Sequence, residues 1–120
     1  TPLYEDNGTM NVYQDWTRRT ATYPEAGKGS LECVIYTALG LAGEAGEYTN
    51  KIKKILRDTG GKMNGNVKYD LAKELGDVLW YVARCANELG YSLHDIANWN
   101  VKKLEDRMSR DAIKGSGDNR

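Results

Sequence analysis

Four acidic residues stand in two pairs of equal spacing, Glu44 with Glu47 and Glu74 with Asp77. On a helix, residues three apart share a face, so each pair aims two carboxylates at one point. If the two helices lie antiparallel, the pairs meet and four carboxylates converge. Without a cation, each pair of like charges about 4 Å apart costs about 1–4 kcal/mol in a surface dielectric. Hard oxygen donors with neither thiol nor imidazole beside them suit Mg²⁺ or Mn²⁺ rather than Zn²⁺. Mg²⁺ keeps waters and recruits substrate phosphates, so a polyphosphate is the substrate that such a cluster predicts. Spacing alone favours a plainer reading, a solvated helix face. With 17 acids in 120 residues, about two such pairs arise by chance. Glu47 and Lys51 also fit an ordinary i,i+4 surface pair.

Three features move the balance towards a site. Gly40, Gly43 and Gly46 surround the first pair. Each costs about 0.5–1 kcal/mol relative to alanine inside a helix, which close approach of a helix or a ligand would justify. Asn100, Lys103 and Arg107 fall within or beside an apolar stripe, Asn100 only about 20° from Leu93 on a helical projection. Polar groups so placed need partners, and a triphosphate would satisfy a lysine and an arginine; snorkelling to the rim is the alternative. Tyr81 lies one turn beyond Asp77, on the face of the second acidic pair, where it could stack on a base. Trp80 reads better as a core or interface aromatic. Lys51 and Lys54 are weaker phosphate candidates, since a lysine run is usually a solvated face. Trp16 and Gln14 fit a base pocket or an oligomer interface equally well.

The elements that must carry these residues are helices. The pattern predicts a short helix over Thr9–Thr20 and a long one over Leu31–Arg57 behind an N-cap at Ser30, stopped by Gly60-Gly61. Leu31, Val34, Ile35, Ala38, Ala42, Ala45, Ile52 and Leu56 would form its inward stripe. A third helix, capped by Asn66, carries Leu71, Leu75, Val78, Leu79, Val82, Ala86 and Leu89 to Gly90. Ser92 to Asp95 then reads as a capping box for a fourth, with Leu93, Ile96, Ala97, Val101, Leu104 and Met108 inward. Alternation is nowhere sustained, so no strand is expected. The expected architecture is all-α, an antiparallel helical bundle forming one domain over 1–120, loose over 1–8 and with a polar tail over 114–120.

Lys+Arg and Asp+Glu are both 17, which removes a global drive towards nucleic acid or anionic membrane. No apolar run reaches the length of a membrane span, and no signal pattern is seen. Cys33 and Cys85 sit in apolar helical stretches and read as free thiols of a reducing cytoplasm. One histidine is too few for a thiolate–imidazole zinc site.

Together the segments Ala38–Glu47, Glu74–Tyr81 and Asn100–Leu104 with Arg107 resemble the MazG-like nucleotide pyrophosphohydrolases. The order Glu-x-x-Glu, a spacer over 48–73, then Glu-x-x-Asp is similar to that family's metal signature, and the ending Gly115–Arg120 is similar to the tail of a phage and bacterial branch. Gly43 departs from the pattern, since much of the family has a further Glu there; metal number or affinity is expected to differ accordingly. The resemblance implies an all-α pyrophosphatase fold, a homodimer or homotetramer, and metal held by Glu44, Glu47, Glu74 and Asp77. It implies cleavage of the α–β phosphoanhydride of nucleoside triphosphates, giving monophosphate and pyrophosphate; the expected nucleophile is a metal-activated water attacking the α-phosphorus in line. Glu44 or Glu47 would accept its proton. Asn100, Lys103, Arg107, Tyr81 and Lys54 are the expected substrate-binding residues, Lys103 and Arg107 reaching phosphate oxygens from a neighbouring subunit, and the C-terminal tail would fold over the site with Arg120 adding charge. The rivals are phosphoribosyl-ATP pyrophosphohydrolysis at the same acids and a non-catalytic helical oligomerisation module.

Overall fold

A computed structural model describes residues 9–114, with side chains through Asp111. The segments 1–8 and 115–120, with the tail and Arg120, lie outside the described residues. Four α-helices follow one another: α1 (Thr9–Trp16), α2 (Leu31–Thr59), α3 (Gly65–Leu89) and α4 (Leu93–Lys114). A 3₁₀ turn, Thr17–Thr20, extends α1 to the boundary that the sequence predicts. No strand occurs among the described residues.

The termini follow local chemistry. The Ser30 hydroxyl accepts the Cys33 amide at 3.3 Å, and Ser92 accepts that of Asp95 at 3.0 Å. The third helix is capped two residues before the expected position. Asn64, not Asn66, accepts the Val67 amide at 2.9 Å, because Asn64 holds the extended backbone that an N-cap needs. Left-handed Gly60 and Gly90 close α2 and α3.

α2 and α3 form a long antiparallel hairpin. Gly40 lies under Tyr81, Glu44 faces Asp77, and Lys51 reaches Glu74, a register running in opposite senses along the two helices. α1 bolts the α3–α4 corner. The buried Gln14 amide donates to the Tyr91 carbonyl at 2.9 Å and its oxygen accepts the Leu93 amide at 2.9 Å. Asn11 accepts the His94 amide at 3.2 Å. Ala83, Ala86 and Leu93 form the small buried core there, packed against Met10, Tyr13, Val82 and Ile96. Gln14, left open by the sequence between base pocket and interface, is thus committed to this corner.

The inward stripe expected on α2 needs correcting. Buried Cys33 and Thr37, with Gly40, Glu44 and Lys51, make the side turned to α3. Leu31, Ile35, Ala38, Ala42, Ala45 and Leu56 point outward, on a face about 180° away by helical projection. Leu31 and Leu39 are each 69% exposed. Small and polar residues line the seam because it must admit the acids and Tyr81, so the apolar stripe lies on the other side. α4 diverges from α3, leaving a groove of about 480 Å³ lined by Leu79, Val82, Trp99, Asn100 and Lys103, among others. The radius of gyration is 17.8 Å, against about 14 Å for a compact 120-residue domain.

Candidate active site

The hairpin register brings three carboxylates together. Glu44 from α2 and Glu74 and Asp77 from α3 each offer an oxygen, all within 4.8 Å of one another. Burial first, and then Asp77, Glu74 and Glu47 in turn, push the Glu44 carboxyl above its usual 4.5. Lys51 partly neutralises the group, its Nζ 2.8 Å from Glu74 Oε1. Hydrogen bonding to Glu74, its strongest influence, raises the Lys51 ammonium above its usual value. Glu47 is exposed and outside the three-carboxylate group, one turn further along the rim of α2.

Aromatic rings border the acids. A Cβ on Gly40 would overlap the Tyr81 ring, so glycine is what lets that ring lie against the α2 backbone. No side-chain or non-local atom lies within 4 Å of a Cβ built on Gly43 or Gly46, and this chain alone gives those two glycines no packing reason. Burial first, and the neighbouring Tyr36, Glu44 and Asp77, push the Tyr81 phenol upward. Trp80 meets Tyr81 edge-on at 4.9 Å and donates its indole N–H to Thr20 Oγ1 at 2.7 Å. Tyr36, about half exposed, is stacked on Tyr23 at 5.0 Å.

The other predicted substrate residues lie elsewhere in this chain. Asn100 and Lys103 line the α3–α4 groove, and Arg107 is half-buried further along α4. Neither cation is paired with Glu44, Glu74 or Asp77. Lys54 sits a turn beyond Lys51, beside Val67 and Asp70 at the far end of the hairpin. Trp16 is exposed. A polar depression of about 510 Å³ lies around Asn11, Gln14, Asp15, Arg18 and Tyr91. It reaches α3 only at Asn87, about 15 Å along the helix from Asp77. Gln14 there is fully engaged and Arg18 is paired with Asp15 at 3.1 Å.

Sequence reasoning missed a buried charge pair at the other end of α3. Arg84 and Glu88 are 1% and 4% exposed, with Arg84 Nη2 4.0 Å from Glu88 Oε2. Glu88 accepts the Tyr23 hydroxyl and the amides of Gly27 and Gly29 at 2.7 and 2.8 Å. Burial pushes the Glu88 carboxyl up, but Tyr23, the two amides and Arg84 outweigh it and hold it below 4.5. Burial and Glu88 together push Tyr23 up to about 12. The signal was present: two charges one turn apart in the run Val82–Leu89, whose other residues are apolar except Asn87.

Both cysteines are free, Cys33 buried and Cys85 half-buried. Among the described residues no helix is long and apolar enough to cross a membrane. The sequence model of the MazG nucleotide pyrophosphohydrolase domain matches residues 35–110. The chain is also similar to the Gene 37 protein of Mycobacterium phage L5, 48% identical over 112 residues, which are 92% of this chain and 98% of that relative. No solved structure matches.

Proposed function

The chain belongs to the MazG nucleotide pyrophosphohydrolase family, and from that premise we propose that it hydrolyses ribo- or deoxynucleoside triphosphates to monophosphate and pyrophosphate with Mg²⁺, Mn²⁺ serving as a substitute. The carrying observation is the convergence of Glu44, Glu74 and Asp77 oxygens within 4.8 Å. The fit to a hard divalent cation rests on that donor set: three carboxylates, no sulfur, no imidazole. Those three would hold the ion, with Glu47 at the rim. When bound, it supplies charge neutralisation of the phosphates and a lower pKa for a coordinated water.

The chain's own groups do the rest. Lys51, already at Glu74, is placed to take a phosphate oxygen when a cation claims that carboxylate. Glu47, exposed and in no ion pair among the described residues, would accept a proton from the attacking water. Tyr81 and Tyr36 offer ring surface for the base beside the acids. Lys103 and Arg107 reach the phosphates from a second copy, in a homodimer or homotetramer assembled on the outer apolar face of α2. The exposed Leu31, Ile35 and Leu39 there support that assembly. Free thiols fit a reducing cytoplasm.

The test is a panel of NTPs, dNTPs and phosphoribosyl-ATP with Mg²⁺, assayed for pyrophosphate. Turnover of common triphosphates supports the proposal. Release from phosphoribosyl-ATP alone replaces it with the sibling reaction, and no release with no Mg²⁺-dependent rise in Tm leaves a helical module. Glu44→Gln and Asp77→Asn are each expected to cut kcat by about a hundredfold or more while far-UV circular dichroism is unchanged.

A further inference from the structure

Asp77, Tyr81, Arg84 and Glu88 recur at three- and four-residue spacing, so one face of α3 runs from the acidic cluster to the buried charge pair. Packed groups join its two ends. Glu88 holds the Tyr23 hydroxyl, and Arg84 Nε also donates to that oxygen at 3.4 Å. The Tyr23 ring stacks on Tyr36 and meets the edge of Trp80 at 6.5 Å. Trp80 in turn meets Tyr81, which lies against Gly40 beside Glu44 and Asp77.

A buried ion pair is a poor source of stability, since well-packed apolar residues often do as well or better. This pair fixes geometry instead. Glu88 also draws in the Gly27 and Gly29 amides, which sets the turn leading into α2. Gly29 has φ +70°, and a Cβ there would come within 3.2 Å of the Glu88 carbonyl, so the turn closes directly on the end of α3. Arg84 Nη1 donates to Thr17 Oγ1 at 3.3 Å, tying the 3₁₀ turn to the same point. Trp80 is anchored to that turn through Thr20.

We infer that Arg84 and Glu88 are positioning residues. Through Tyr23 they set the Tyr36–Trp80–Tyr81 wall against which the nucleoside of the substrate rests, and they touch neither phosphate nor metal. The inference rests on the proposed triphosphate hydrolysis for its substrate, but the clamp has a readout of its own. Glu88→Gln keeps shape and removes charge; Tyr23→Phe keeps the ring and removes the link. Each is expected to raise KM for a nucleoside triphosphate about five- to tenfold with kcat within about twofold, the loss of one well-placed hydrogen bond. The double variant should be no worse than the worse single one. The Trp80 indole N–H resonance, identified by its loss in Trp80→Phe, should move in both single variants, while the Mg²⁺-dependent rise in Tm stays.

A wild-type protein that releases no pyrophosphate, yet whose Trp80 resonance moves in the variants, would sink the hydrolase reading and leave the clamp. An active wild type whose variants keep both KM and the Trp80 resonance overturns the inference. So does a fall in kcat matching lost folded protein with KM unchanged. If Glu88→Gln does not fold, Tyr23→Phe decides by the same readouts.

Discussion

Gly40 shows how one hydrogen atom can define a site. A methyl group there would push the Tyr81 ring off α2, away from Glu44 and Asp77. Gly40→Ala is therefore expected to destabilise by about 1–3 kcal/mol of overpacking, less up to about 1 kcal/mol of helix propensity. Thermal melting reads the stability, and a raised KM reads the displaced ring. Glu44 makes a second prediction. Its folded carboxyl is raised above 4.5, so protons compete with the cation at a higher pH than for an ordinary glutamate. Mg²⁺ affinity, measured by calorimetry in buffers of falling pH, should weaken before any global unfolding. The acids were legible in the sequence because periodicity places i and i+3 on one face whatever the tertiary structure. The reach of Lys51 to Glu74 was not, because the same spacing also fits a pair with Glu47.

At the scale of the element, the α2–α3 hairpin is held at one end by Glu88. A carboxyl depressed in the folded state contributes stability that is fully present above its unfolded value, near 4.5, and lost as pH falls through the lower folded value. Acid should therefore loosen the Tyr23–Gly29 turn first. Glu88→Gln is expected to flatten the decline of Tm below about pH 4.5 relative to wild type, read by pH-stepped melts. Helix existence and most caps could be read from the chain, since Ser30, Ser92, Gly60 and Gly90 act through their immediate neighbours. Asn64 and Asn66 are equivalent by residue type, and backbone conformation chose between them. The clamp itself joins residues 59 to 65 apart, a distance over which no periodicity speaks.

For the whole molecule, the decisive feature is which side of α2 meets α3. An apolar stripe predicts that some surface is covered, and the sequence has no means of naming the cover. Here the chain's own partner helix takes the small and polar side. Leu31, Ile35 and Leu39, one turn apart, make one continuous apolar face that this chain leaves exposed. On the proposed assembly, Ile35→Glu with Leu39→Glu is expected to give a monomer by sedimentation velocity, with pyrophosphate release lost because Lys103 and Arg107 would no longer arrive from a second copy. A double variant that remains an active oligomer would move the interface elsewhere.

A seam built from Thr37, Gly40, Glu44 and Lys51 gives hydrophobic collapse little to work with. On the proposed assembly, the hairpin would draw part of its driving force from the contact between two chains, so acquiring the native shape and finding the partner would be coupled. Refolding would then speed up as the solution is made more concentrated.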